Sequence, residues 1–194
     1  MRKINGPKAY IDSSRLGTNI LKIRKHIGKK KIMVVVKANG YGHGAINIAS
    51  SLSNKTDIIF CVFSINEAIE LREAGVNNSI LIFSKLQSDW VDLAVEYNLW
   101  INASSMNDLD ILVNFYENNK SCPKIHLEFD TGMTRSGFDY FDDEKVFNYL
   151  SKYPLLPVEG IYSHFATADE GDLDYAGYQL EEFKRILKNA KFSS

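Results

Sequence analysis

Short apolar runs alternate with amphipathic segments along this 194-residue chain, and that alternation limits the folds open to it. The runs cover residues 32–36, 58–63, 79–83, 99–102, 124–129 and 158–162. Each is of strand length. The segments between them carry helical spacing. Residues 12–27 begin with Asp12-Ser13-Ser14, side chains suited to an N-cap, and place Leu16, Ile20, Ile23 and Ile27 on one face. Gly28 then stops the helix. Ser64-Ile65-Asn66-Glu67 has capping-box spacing and opens a helix through Glu73, ended by Gly75. Ser105-Met106-Asn107-Asp108 is a second capping signal, and the helix it opens carries Met106, Leu109, Val113 and Tyr116 on one side. Further helices are predicted over 44–51, 88–97, 143–152 and 174–192.

Strands that alternate with helices imply right-handed β-α-β units and a parallel sheet. An open doubly wound sheet and a TIM-type (β/α) barrel both fit the periodicity. The polar motifs favour the barrel, because they lie at or just after the ends of the first, fifth and sixth strands. Active sites sit at that face of a barrel, whereas an open sheet gathers its ligands mainly at one switch point. The chain supplies about six strand–helix units, against the eight that closure requires. The expectation is therefore an α/β chain forming an incomplete barrel, with residues 1–194 as one partial domain.

Composition narrows the partners. With 23 basic and 24 acidic residues the net charge is −1, which argues against nucleic acid or an anionic membrane as the main partner. No apolar run is long enough to span a bilayer. The N-terminal residues are basic but lack an apolar stretch behind them, so no secretory signal is expected. Cys61 and Cys122 have no metal-type spacing, and Cys61 sits inside an apolar run as a buried thiol. A reducing cytoplasm fits that usage.

Three segments carry chemistry. In the first, the all-apolar 32–36 run leads to Lys37-Ala38-Asn39-Gly40-Tyr41-Gly42-His43-Gly44. The run reads as a fully buried strand that delivers one amine into a glycine-rich loop. Burial disfavours a charged lysine and makes a neutral nucleophile available. Gly40, Gly42 and Gly44 permit close backbone approach, and the helix beyond them has amides suited to an anion. The second segment runs from His126 to Phe138. Alternation puts His126, Glu128 and Asp130 on one strand face and Leu127 and Phe129 on the other. Arg135 comes after them as a permanent planar cation suited to a carboxylate or a phenolic oxygen. The third, Gly160-Ile161-Tyr162-Ser163-His164-Phe165, ends a strand on a histidine with no second His or Cys at ligand spacing, so no metal site is expected. Taken singly, each segment also fits an ordinary loop, ion pair or core histidine.

Together, in this order and at these spacings, the three segments resemble the alanine racemase family. Asn66-Glu67-Ala68-Ile69-Glu70-Leu71-Arg72-Glu73-Ala74-Gly75 and the run after it add to the likeness, which extends from about Lys8 to the last helix. The resemblance implies a pyridoxal 5′-phosphate (PLP) enzyme that interconverts L- and D-alanine. It implies that Lys37 holds the cofactor covalently and serves as one of two bases. Tyr41 matches a contact to the cofactor phosphate. Arg135 matches the arginine at the cofactor oxygen and substrate carboxylate, and His164 a histidine beside the cofactor ring.

Two departures from the family pattern stand out. Several members carry a carbamylated lysine where this chain has Glu128, so Glu128 is expected to pair with Arg135 and orient it. The family's second base, a tyrosine of a C-terminal β domain supplied by the other subunit of a homodimer, has no counterpart in residues 1–194. The expectation is a chain carrying the lysine half of a site. A racemase for another small amino acid such as serine, or a non-catalytic PLP-binding module, are the alternatives.

Overall fold

In the computed structural model, which describes residues 9–190, the chain divides between Ile82 and Phe83 into two units. The first contains α1 (Ser13–Ile27), β1 (Ile32–Val35), a single turn α2 (Lys37–Tyr41), α3 (Ala45–Leu52), β2 (Ile58–Val62), α4 (Ile65–Glu73) and β3 (Ile80–Ile82). The three strands pair in parallel. Ile32 to Val35 face Ile58 to Cys61, and Phe60 to Val62 face Ile80 to Ile82. Asp12 caps α1 by accepting from the amides of Ser14 and Arg15, and Gly28 ends that helix at φ 71°. The Ser64/Glu67 capping box forms as its spacing predicts.

Every residue of β2 and β3 is buried. A fully buried side chain such as Leu81 stabilises the fold by about 1.5–3 kcal/mol. The expectation of an equally buried β1 is corrected. Met33 and Val35 are 39% and 37% exposed, because the face that carries them is left uncovered among the described residues. Within α1 only Ile20 of the predicted apolar face is buried, and Ile23 is exposed. The contact of α1 is mainly with α3, and a helix packed on one neighbour buries only part of its apolar face.

The second unit contains a 3₁₀ turn (Ser88–Trp90), α5 (Val91–Glu96), β4 (Trp100–Ala103), α6 (Met106–Asn119), β5 (Lys124–Asp130), β6 (Phe138–Asp139), a second 3₁₀ turn (Tyr140–Asp142), α7 (Asp143–Leu150), β7 (Val158–Tyr162) and α8 (Asp174–Asn189). β5 is its central strand. It pairs in parallel with β4 on one side and β7 on the other, and the two-residue β6 joins its C-terminal end. β6 is too short to leave a periodic signal in the sequence. The predicted continuation of the last helix to residue 192 lies outside the described residues.

Both faces of β5 are buried, with Ile125, Leu127 and Phe129 on one and His126 and Glu128 on the other. Cys61 is buried as expected, and burial pushes its thiol up to about 12. Among the described residues no helix is long and apolar enough to cross a membrane.

Candidate active site

Lys37 and Tyr41 belong to the first unit and open and close α2, immediately after β1. The turn is wound left-handed. Ala38, Asn39, Gly40 and Tyr41 have φ of 51°, 53°, 61° and 54°. Each non-glycine residue in that region costs about 1–2 kcal/mol, so Ala38, Asn39 and Tyr41 need compensation. Local hydrogen bonds supply it. Gly40 N donates to Val36 O at 2.8 Å, Gly44 N to Asn39 O at 2.9 Å, and Ala45 N to the Asn39 side-chain oxygen at 2.9 Å. Glu67 of α4 also accepts from Ala38 N at 2.7 Å, while its other oxygen accepts from Phe63 N at 2.8 Å and Ser64 N at 3.1 Å. One carboxylate thereby fixes both the start of α4 and the residue after Lys37. Strain held in place by its surroundings is characteristic of functional sites.

Lys37 itself is half-buried, not buried as the sequence reading required, and makes no ion pair among the described residues. Tyr41 is 61% exposed. Because Asn39 already occupies the Ala45 amide, the first amide of α3 is not open to an anion.

Arg135 and His164 belong to the second unit, after the C-terminal ends of β5 and β7, and both are exposed. The Arg135 loop is built on two carboxylates of β5. Asp130 accepts from Gly132 N at 2.8 Å, Thr134 N at 3.0 Å and Arg135 N at 3.1 Å, an Asx-type turn that folds the loop back on its own strand. Gly137, at φ 122°, lies so close to that strand that a Cβ there would fall 2.6 Å from Asp130 N.

The expected Glu128–Arg135 pair is not made. Glu128, 6% exposed, instead accepts at 2.8 Å from the Asn102 amide and at 2.8 Å from the Ser136 hydroxyl. Both donors bond its Oε2, so the carboxylate fixes the residue next to Arg135 while Arg135 itself stays exposed. Burial without such partners would be costly.

Further along the same face His126 stacks on Trp100, with ring centroids 5.0 Å apart. Gly160 makes room for the imidazole, since a Cβ there would come within 2.6 Å of it. Among the described residues no group of three or more His, Cys, Asp or Glu could hold a metal ion.

The sequence reading missed Asn102, Ser136 and Gln179. Gln179 is fully buried on α8 and bonds to the backbone of the His164 loop. A signal existed: Gln179 lies seven residues before buried Ile186, so a polar residue occupies the buried face of the helix.

Comparison with known proteins places these features in context. The family model for the alanine racemase N-terminal domain matches residues 11–193. An alanine racemase from Fusobacterium nucleatum is 40% identical over 182 residues, spanning 92% of this chain and 50% of that protein. One from Streptococcus pneumoniae is 38% identical over 185 residues, spanning 95% and 50%. The crystal structure of alanine racemase from E. faecalis superposes with a TM-score of 0.83 at 35% identity, covering 94% of this chain and 50% of that one. A histidine racemase from Leuconostoc mesenteroides superposes at 0.79 with 27% identity, covering 90% and 47%. The chain thus spans about half the length of the curated relatives it matches. The fold expected from the sequence, an incomplete TIM-type (β/α) barrel, holds.

Proposed function

The chain belongs to the alanine racemase N-terminal-domain family, and from that premise we propose that it carries the lysine half of a PLP-dependent amino-acid racemase site. The family uses PLP, and the residues present fit it. Lys37 offers a half-buried primary amine with no ion pair among the described residues, in a turn held by Glu67. Arg135 offers an exposed guanidinium on a loop anchored by Asp130 and Glu128. The available Lys37 amine on its strained, fixed turn is the observation that carries the reading.

When bound, PLP makes the α-proton of an amino acid removable by spreading the charge left behind. The residues do the rest. Lys37 would hold the cofactor through its Nζ and would take or return the α-proton on one face of the substrate. Tyr41 would donate its hydroxyl to the phosphate. Arg135 would bind the phenolic oxygen and the substrate carboxylate, and His164 would flank the ring. The second base, acting on the opposite face, is a tyrosine of a C-terminal β domain from the partner in a homodimer. On this reading residues 1–194 form one partial barrel domain of a cytoplasmic isomerase that supplies D-alanine for the cell wall. Alanine is the substrate that the curated relatives' names support.

A visible absorption spectrum of the purified chain with added PLP tests the reading. A cofactor band that is present in the native chain and lost in Lys37→Ala supports it. A spectrum unchanged by Lys37→Ala overturns it.

A further inference from the structure

The Gln179 amide uses both its donors and its acceptor in a place without water, and every partner lies on a site loop. Its Oε1 accepts from Ala166 N at 2.8 Å, and its Nε2 donates to His164 O at 3.0 Å. This is the pairing a neighbouring strand would make with that backbone. Nε2 also approaches Thr131 Oγ1 at 3.4 Å, and Thr131 bonds to Ser163 at 2.8 Å. One helical turn earlier, on the same side of α8, Tyr175 donates its hydroxyl to Gly132 O at 2.8 Å. Residues 131–132 lead into Arg135, and residues 163–166 flank His164. Two loops that come after different strands therefore share one tether. Gln179 and Thr131 are 0% and 1% exposed. A buried amide is costly unless bonded, and a purely structural position on an apolar helix face would take leucine.

We propose that Gln179 is a positioning residue, holding the Arg135 loop and the His164 loop in one fixed arrangement for the cofactor. The proposal rests on the racemase reading of the site. Gln179 touches no reacting atom; it acts through the backbone at His164 and Ala166 and through Thr131. A glutamate at this position keeps the acceptor for Ala166 N but loses the donor for His164 O. A leucine loses both. The two substitutions therefore separate the parts of the tether.

The test is residue-resolved amide exchange on the whole chain, native against Gln179→Leu and Gln179→Glu, joined to PLP titration. In Gln179→Leu the amides of Ala166, Gly132, Thr134 and Arg135 should exchange about tenfold or more faster, the scale of one lost buried hydrogen bond. In Gln179→Glu, Ala166 should stay protected while the Gly132–Arg135 amides speed up. The sheet amides of Ile101 and Leu127 should keep their rates in both variants, and PLP affinity should fall about tenfold in Gln179→Leu. Unchanged exchange in the two loops, or a uniform increase that includes Ile101 and Leu127, overturns the proposal. Loosened loops with native PLP affinity overturn it too, provided that the Lys37-dependent band is intact. If that band does not depend on Lys37, the site reading falls, and the exchange rates alone decide whether Gln179 couples the loops.

Discussion

The His126 imidazole lies between Trp100 and Gly160, and burial pushes its pKa down from 6.5 to about 4, with a smaller upward pull from Glu159 and a smaller downward push from Lys124. Its Nε2 has no hydrogen-bond partner among the described residues. The folded protein therefore holds His126 neutral over a range in which the unfolded chain is already protonated. As pH falls from 6.5 towards 4 the unfolded state binds the extra proton, and stability drops. The full interval corresponds to about 3 kcal/mol. Urea denaturation at pH 7 and pH 4.5 should show this loss, and His126→Phe, which keeps the stack on Trp100, should remove most of it. An identical pH dependence in the variant would show that other groups are responsible. The sequence placed His126 on the Glu128 face of its strand, but the missing partner depends on a tryptophan and a glycine from two other strands.

Between β1 and α3 the chain passes through a left-handed turn that isolated residues of these types would avoid. Its stability belongs to the elements on either side. Asn39 ties it forward to α3, and Glu67 ties it across to α4. Glu67→Ala leaves three amides without their acceptor and should cost about 1–3 kcal/mol in urea denaturation. The loss should be accompanied by faster exchange at Ala38 and a weaker Lys37-dependent PLP band. A stability loss with Ala38 exchange unchanged would confine Glu67 to capping α4. The capping-box spacing showed that Glu67 starts a helix. It could not show that the second carboxylate oxygen reaches a residue 29 positions earlier, because that depends on where β1 and β2 come to lie.

Over the whole chain a net charge of −1 gives little electrostatic repulsion between molecules. Met33 and Val35 on β1, and Tyr41 and Phe63 beyond the C-terminal ends of β1 and β2, are all exposed. The chain should therefore self-associate as its concentration rises, and Met33→Lys with Val35→Lys should shift sedimentation velocity back towards the monomer. Equal association in the double variant would place the sticky surface elsewhere. The sequence by itself determined the order of strands and helices, the parallel pairing, the caps of α1, α4 and α6, and the three segments on which the proposed site rests. These arise from local periodicity, short-range hydrogen bonding and residue type, all of which act within a few positions of the chain. Tertiary structure alone decided that β1 is half-exposed, that Glu128 bonds Asn102 and Ser136 and not Arg135, and that Gln179 reaches two loops. The first depends on what covers the sheet face, and the other two on buried polar groups that must take whichever partner the packing brings within reach.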